Sequence, residues 1–502
     1  MPAFFNPNLS LYSNFNAMDF PIFHLSLLGD RFLFILIAIV HTIVNHGFAI
    51  GLVPIVSIME FKGLQTKDPA WDKLAYKIMK VVFIVTTTVG AATGVGIWFA
   101  ASLVNPSSIA SLIRVFFSAW LFEWIIFVSE VAMVMFYFLT WKKWTLGLSK
   151  EKHFATGYFL SIFSWVTMAI IVAILGFMMD PGDWEQKRTF WYGFLNPIYL
   201  PQLAFRTFLA LLLGGSVALF LIHLFTEKTS EIRAKAVRFV SLWVLAVAPL
   251  ALIAGWWYWY CIPDLMKSHL SVALATIQFQ DWHKLIIRIL ISGVLLSVIL
   301  ALVQLFKPKF KYATPMYAVL VVLLCVSLGF FERAREFVRK PFIIKNYMYA
   351  NGFRVEEYPL LQKEGILKQA AFVSTKEITP DNKVEAGKNV FMLACAQCHT
   401  IHGLNAISTN FNRMYGDKKP WSRAAMHQYI RSMHNARTYM PPFPGNDAEI
   451  DALVTYFKVI QYLDDPEINV NGYNSLSISK EQNRQFIEFI SRKDSLQKST
   501  EK

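Results

Sequence analysis

The chain has 502 residues, of which 55% are hydrophobic and 16% charged, with a mean hydropathy of +0.41. That composition excludes an ordinary soluble protein. The net charge of +14 invites a nucleic-acid reading, but much of the Lys and Arg lies in short loops between apolar stretches, where it marks membrane topology instead.

The first 30 residues hold no basic segment followed by an apolar core, so no cleaved leader is expected and the first span should direct insertion. A helix crosses a bilayer with about 20 apolar residues. Eight such spans are predicted, at roughly 32–59, 78–104, 113–139, 155–179, 203–226, 237–262, 284–306 and 313–332. Alternate loops carry the basic residues: Lys62, Lys67, Lys73 and Lys77, then Lys142, Lys143, Lys150 and Lys152, then Lys228, Arg233 and Lys235, then Lys307, Lys309 and Lys311. The intervening loops hold only Lys187, Arg188 and Lys267. The positive-inside rule puts the first set in the cytoplasm, and the N-terminus and everything after the eighth span outside.

Ionisable residues inside spans are functional candidates by default. His41 lies mid-span in the first helix, and His46 follows about 140° round it, so the two cannot share one small ligand. Glu123 and Glu130 lie two turns apart on one face of the third span. Cys261 and Cys325 read as small buried hydrophobes. At the outer end of the eighth span, Glu332, Arg333, Arg335, Glu336 and Arg339 are too dense for simple snorkelling. Arginines there could hold propionates by bidentate contacts. His41 as a structural histidine, and Glu336 as an ion-pair member with Arg333 or Arg339, stay open.

Residues 341–378 read as a mixed polar connector, 379–465 as a small soluble domain, and 466–502 as a polar tail, extended or weakly helical. Within the soluble domain, Cys395-Ala-Gln-Cys398-His399 is the attachment signature of one covalent haem c. Its thiols bind the vinyl groups and His399 the iron. Gly387 on the preceding helix would allow a close helix crossing. Met440, before Pro441 and Pro442, suits an extended loop presenting a thioether. A core methionine is the plain alternative, with His434 or Met433 as substitute ligands. Asn446-Asp-Ala-Glu449 caps a helix with Ile450, Leu453, Tyr456 and Phe457 on one face. This order resembles a class I cytochrome c, which implies His399 and Met440 as axial ligands.

The membrane part, from about residue 20 to 345, resembles subunit I of the cytochrome bd oxygen reductases. Asp30-Arg31 followed by His41, Gly90-Ala-Ala-Thr-Gly94, Glu130 with Trp141, Leu195-Asn-Pro197, and Glu336 with Arg339, Pro341 and Phe342 carry the resemblance. It implies His41 as the ligand of a high-spin haem, Glu336 as a carboxylate ligand, and two membrane haems of b or d type. Glu123 stands one residue out of register with the family's other third-helix glutamate. The family's low-spin haem ligands correspond here to Arg206 and Leu290, neither of which binds iron. The long external quinol loop is reduced to Pro263–His283, and the cytochrome c domain replaces the final helix.

The expected protein is therefore all-α. It has a bd-type membrane domain over 1–340, a connector over 341–378, a class I cytochrome c over 379–465 and a tail over 466–502. It should be a respiratory haem oxidoreductase of the bacterial inner membrane. Electrons would arrive through haem c from a periplasmic cytochrome or other donor, and dioxygen is the expected acceptor. Glu123 and Glu130 would deliver protons, with Arg339 in the catalytic set. Arg333, Arg339 and Arg206 would hold propionates. A second membrane subunit and lipid are the expected partners, and nucleic acid is not. His46, His223, His269 and His283 could each ligate a further haem. Nitric oxide reduction, a non-catalytic electron-transfer subunit, and quinol reducing haem c stay open.

Overall fold

The computed structural model describes residues 21, 23–144, 148–274, 282–310, 312–416, 419–463, 465 and 478–500. Among these, eight helices are long and apolar enough to cross a membrane: Asp30–Thr66, Pro69–Val104, Pro106–Thr140, Ser149–Met179, Tyr199–Phe225, Glu231–Cys261, Lys284–Phe306 and Ala313–Val338. They match the predicted spans but begin up to nine residues earlier, because polar flanking turns continue the helices.

The chain divides into two compact units. One comprises Ile35–Phe99 and Leu112–Arg339. Its core runs through span one (Leu52, Ile55, Met59), span five (Leu213, Val217), span six (Val240, Val244) and span eight (Tyr317, Leu320). Lipid tails are as apolar as leucine, so close backbone approach must hold such helices together. Spans one and five achieve it at a glycine pair. A Cβ on Gly51 would lie 2.2 Å from the Ala210 carbonyl oxygen, and one on Gly214 would lie 2.2 Å from the Gly51 carbonyl carbon. Two π turns interrupt the ladders of spans one and two, at Asn45–Ile50 and Thr86–Gly90. Such bulges often mark functional positions.

The other unit gathers the described part of residues 1–34, Ala100–Ser111 and the described residues from Lys340 on. Its core is built on the helices Lys383–Ala394 and Asp447–Gln461. They cross at Gly387, where a Cβ would meet the Ala452 carbonyl oxygen at 2.1 Å, so the expected close crossing is present. Gly387→Ala must push these helices apart. Overpacking of this kind costs about 1–3 kcal/mol or more, and thermal unfolding followed by haem c absorbance should occur at a lower temperature. The Asn446–Glu449 capping box forms as expected. Glu449 also accepts from the Ile366 and Leu367 amides at 3.0 and 2.8 Å.

Two segments are more structured than their composition suggested. The connector forms a small hairpin, Phe342–Ile344 with Met348–Tyr349, and two short helices. Tyr358, Leu361, Ile366 and Leu367 of those helices join the cytochrome core. The tail contains the helix Lys480–Thr500, not an extended strand. Phe486, Phe489 and Ile490 recur at three- and four-residue spacing, which is enough apolar stripe to dock on the same core.

Candidate functional site: two haem-ligand constellations

In the soluble unit the motif sits at the end of the Lys383–Ala394 helix. Burial pushes the Cys395 thiol up to about 12, with Cys398 beside it adding to the shift. His399 Nδ1 lies 3.1 Å from the Asn405 carbonyl oxygen, which can only accept, so Nδ1 carries the hydrogen and Nε2 keeps its lone pair. Burial, and then the Arg31 charge, hold this imidazole below its ordinary value, in the neutral form that iron needs. His434 does not compete as a ligand through Nδ1, which bonds the Met440 carbonyl oxygen at 2.6 Å. Tyr358 and Gln362 donate to the Pro442 and Phe443 carbonyls at 3.2 and 3.0 Å. The connector thus fixes the loop that carries Met440. These residues fit a covalent haem c.

The same unit holds the haem motif from a second side. Arg31 donates to the Gln397 carbonyl through Nε and to the Ala350 carbonyl through Nη2, each at 3.1 Å. Asn105 donates to the Gln397 side-chain oxygen at 3.1 Å. The Leu404 amide donates to the Leu27 carbonyl at 2.9 Å. Gln397 lies between the two haem cysteines, so residues at the start of span one and at the turn between spans two and three grip the attachment loop itself.

In the membrane unit, His41 Nδ1 faces the Gly90 carbonyl at 3.3 Å and the Thr93 hydroxyl at 3.2 Å. The Thr93 hydrogen goes to the Val89 carbonyl at 2.6 Å, so Thr93 accepts and Nδ1 donates. Among the described residues, His41 Nε2 has no hydrogen-bond partner. A Cβ on Gly94 would come 3.2 Å from His41 Cε1, so glycine leaves room at the ring edge. The π turn at Thr86–Gly90 brings the orienting carbonyl. This is how a protein prepares an imidazole for iron.

Span eight meets span one where a Cβ on Gly329 would lie 3.3 Å from Ile39. Glu336 stands two turns beyond Gly329, about 10 Å along the helix. It is buried and forms an ion pair with Arg339. Arg339 also reaches Met178 Sδ at 3.4 Å. Arg333 lies half-buried, with Nη1 3.5 Å from the Leu274 carbonyl. Glu130 is buried and accepts from Ser164 at 2.6 Å and Thr167 at 3.2 Å. Glu123 is half-buried on the same face.

Arg206 is the clearest departure from expectation. Expected to hold a propionate, it is buried against a carboxylate of the chain itself, Glu332, with Nη2 donating at 2.6 Å. Arg335 Nε donates to the other Glu332 oxygen at 3.1 Å. Arg206 Nη1 lies 3.3 Å from His46 Nε2, and arginine can only donate, so that lone pair is spent. His223 loses its lone pair in the same way, with Nδ1 accepting from Arg233 at 2.9 Å and Nε2 facing Gln304 at 3.1 Å. Both nitrogens of His223 are thus engaged, and so is His46 Nε2. His269 is buried, and its pKa is lowered by that burial; the His283 side chain lies outside the described residues. Sequence reasoning does not find Glu332 and its partners as a cluster, because residues 46, 206 and 332 are far apart along the chain. The dense charge run around Glu332 is the one signal that points to it.

Residues 30–263 match the family described as cytochrome bd terminal oxidase subunit I, and residues 382–457 match the cbb3-type cytochrome c oxidase subunit III. No curated protein compared with the chain matches it. Among solved structures, the chain is similar to the bd oxidase from Geobacillus thermodenitrificans, with a TM-score of 0.55 and 16% identity over 67% of this chain and 90% of that one. That likeness shows the fold. The protein is a multi-pass membrane, haem-dependent oxidoreductase in which a cytochrome bd subunit I-type domain is joined to a C-terminal cytochrome c domain.

Proposed function

We propose that this protein accepts electrons at its haem c from a donor outside the cytoplasm and delivers them to a high-spin haem site, where dioxygen is reduced to water. The observation that carries the reading is the grip on the attachment loop. Arg31 binds the Gln397 carbonyl and lies in the first turn of the span that places His41 ten residues later. The position where the family binds a low-spin haem carries Arg206, which is committed to Glu332. His41 Nε2 would hold the iron of a haem, which would supply the binding and reduction of a small oxidant. His41 is oriented by Gly90 and Thr93, and Glu336 beside Arg339 offers a carboxylate as the second ligand, so two membrane haems of b or d type are proposed. Arg333 and Arg339 are the propionate candidates. Glu123 and Glu130 supply protons.

The donor is a c-type cytochrome or similar carrier, and the membrane is the bacterial inner membrane, with the haem c domain outside. A companion membrane subunit is also part of this reading. Glu123 stands beside Phe122 and Trp124, which are 62% and 61% exposed, and a carboxyl at that depth is costly against lipid. Turnover of the purified protein with dioxygen and with nitric oxide identifies the acceptor. Arg31→Ala should leave haem c content unchanged but slow reduction of the membrane haems by about 10-fold or more, since small misplacements of reacting groups cost up to ~10²-fold. Stopped-flow absorbance would measure this, and an unchanged rate would mean that Arg31 does not serve the transfer.

A further inference from the structure

The membrane unit buries a second ionisable cluster, at the end of the bundle where the basic loops lie. Glu60, near the end of span one, is fully buried. Its Oε2 accepts from the Tyr137 hydroxyl of span three at 2.6 Å. Its Oε1 meets His153 Nδ1 of span four at 2.6 Å and Lys150 Nζ at 2.5 Å. Lys150 continues to Asp72 Oδ1 of span two at 2.7 Å, and the Asp72 side chain is 35% exposed. Trp141 Nε1 donates to the other Asp72 oxygen at 3.3 Å. The cluster therefore runs from the surface to a buried centre.

Its hydrogens can be counted. His153 Nε2 lies 2.8 Å from the Tyr137 carbonyl, an acceptor only, so Nε2 carries a hydrogen. Nδ1 and Glu60 Oε1 then share one further proton, as imidazolium with carboxylate or imidazole with carboxylic acid. Glu60, Asp72 and Lys150 together leave one negative charge, and that shared proton cancels it.

The cluster also continues inward. A Cβ on Gly157 would lie 2.6 Å from Ser57 Oγ and 2.7 Å from Tyr137 Oη, so glycine lets the span-four backbone pack directly against both hydroxyls. Among the described residues, the buried Ser57 hydroxyl has no hydrogen-bond partner other than Tyr137. Glu123, Glu130 and Tyr137 stand seven residues apart, in one stripe of span three, each step about 10 Å.

We propose that the Glu60–His153 pair is the proton-input station of this oxidoreductase, loaded from the Asp72 surface and discharging through Tyr137 and Ser57 toward Glu130 and Glu123. This rests on the functional reading above. A proton arriving at His153 moves the shared one fully onto Glu60. The carboxyl then turns to present that proton to the Tyr137 oxygen, the Tyr137 hydroxyl turns its own hydrogen from Glu60 toward the Ser57 oxygen, and Ser57 releases its hydrogen to water. Water carries it on to Glu130, and rotation of the two hydroxyls resets the chain. Only O–H and N–H bonds form and break, and no electron moves; the proton is consumed with an electron where the oxidant is reduced.

The test uses the full-length, haem-loaded protein in vesicles, with Glu60→Gln and, as a gentler variant, Tyr137→Phe. Haem content, carbon monoxide binding and reduction of haem c by ascorbate should match the parent. Proton uptake after an oxygen pulse, followed with a pH dye, should slow by about 10-fold or more in both variants. Infrared difference spectra on reduction should lose a protonated-carboxyl band in Glu60→Gln. Normal uptake in both variants, with the band retained, would overturn the proposal. If the parent binds no carbon monoxide, the functional reading fails instead, so the two failures are distinguishable.

Discussion

His41→Ala is expected to remove one membrane haem and the carbon monoxide-sensitive absorbance while leaving haem c at full stoichiometry. The two sites are chemically independent. Haem c is tied by thioethers at Cys395 and Cys398 and by His399, whose Nδ1 is held by Asn405. His41 is oriented only by Gly90 and Thr93. Alanine leaves no donor there, and loss of an iron ligand should cost oxygen uptake at least ~100-fold. Thr93→Ala removes one of the two acceptors that orient Nδ1, leaving the Gly90 carbonyl, and outer partners of this kind typically cost about 10–100-fold in affinity or activity. A pyridine haemochromogen spectrum with a carbon monoxide difference spectrum measures both variants. Retention of the carbon monoxide signal in His41→Ala would place the open haem elsewhere.

The second large effect concerns Arg206. Arg206→His restores the residue type the family uses for a low-spin haem, yet it should yield no new low-spin spectrum and a clearly less stable protein. The reason is Glu332. Its carboxylate is buried and held by Arg206 and Arg335 together. Removing one partner of a buried pair typically costs about 3–5 kcal/mol, because a charge is left unpaired, whereas replacing both partners by apolar groups is often close to neutral. Arg206→Met with Glu332→Met and Arg335→Met, which leaves no member of the cluster charged, should therefore recover most of the stability lost in Arg206→His. Thermal unfolding in detergent measures the difference. A stable Arg206→His protein with a new low-spin haem would show that the Arg206–Glu332 pair does not fill this site.

The spans are legible in the sequence because an unbroken run of about 20 apolar residues is what a bilayer crossing requires, and the basic loops add orientation. The haem c motif is legible because its chemistry is local. His41 and Glu130 stand out as ionisable groups in apolar sequence. What the sequence hides is tertiary or non-periodic. The π turns at Asn45–Ile50 and Thr86–Gly90 leave no compositional trace, yet one of them supplies the carbonyl that orients His41. The pairs Arg206–Glu332 and Glu60–His153 join residues 126 and 93 positions apart. Arg31 reads only as part of a family motif, and its grip on Gln397 emerges only when the chain folds. The helix Lys480–Thr500 is masked by its polar majority, since three buried apolar side chains suffice to dock it.

The central claim is that haem c is the way in for electrons. The direct measurement is oxygen uptake by the full-length protein and by a Cys395→Ser, Cys398→Ser variant, with ascorbate and a reduced c-type cytochrome as donor in one arm and quinol alone in the other. Uptake with the cytochrome donor is expected in the parent and should be lost in the variant, with none from quinol in either. Parent-level uptake from quinol in the variant lacking haem c would contradict the claim.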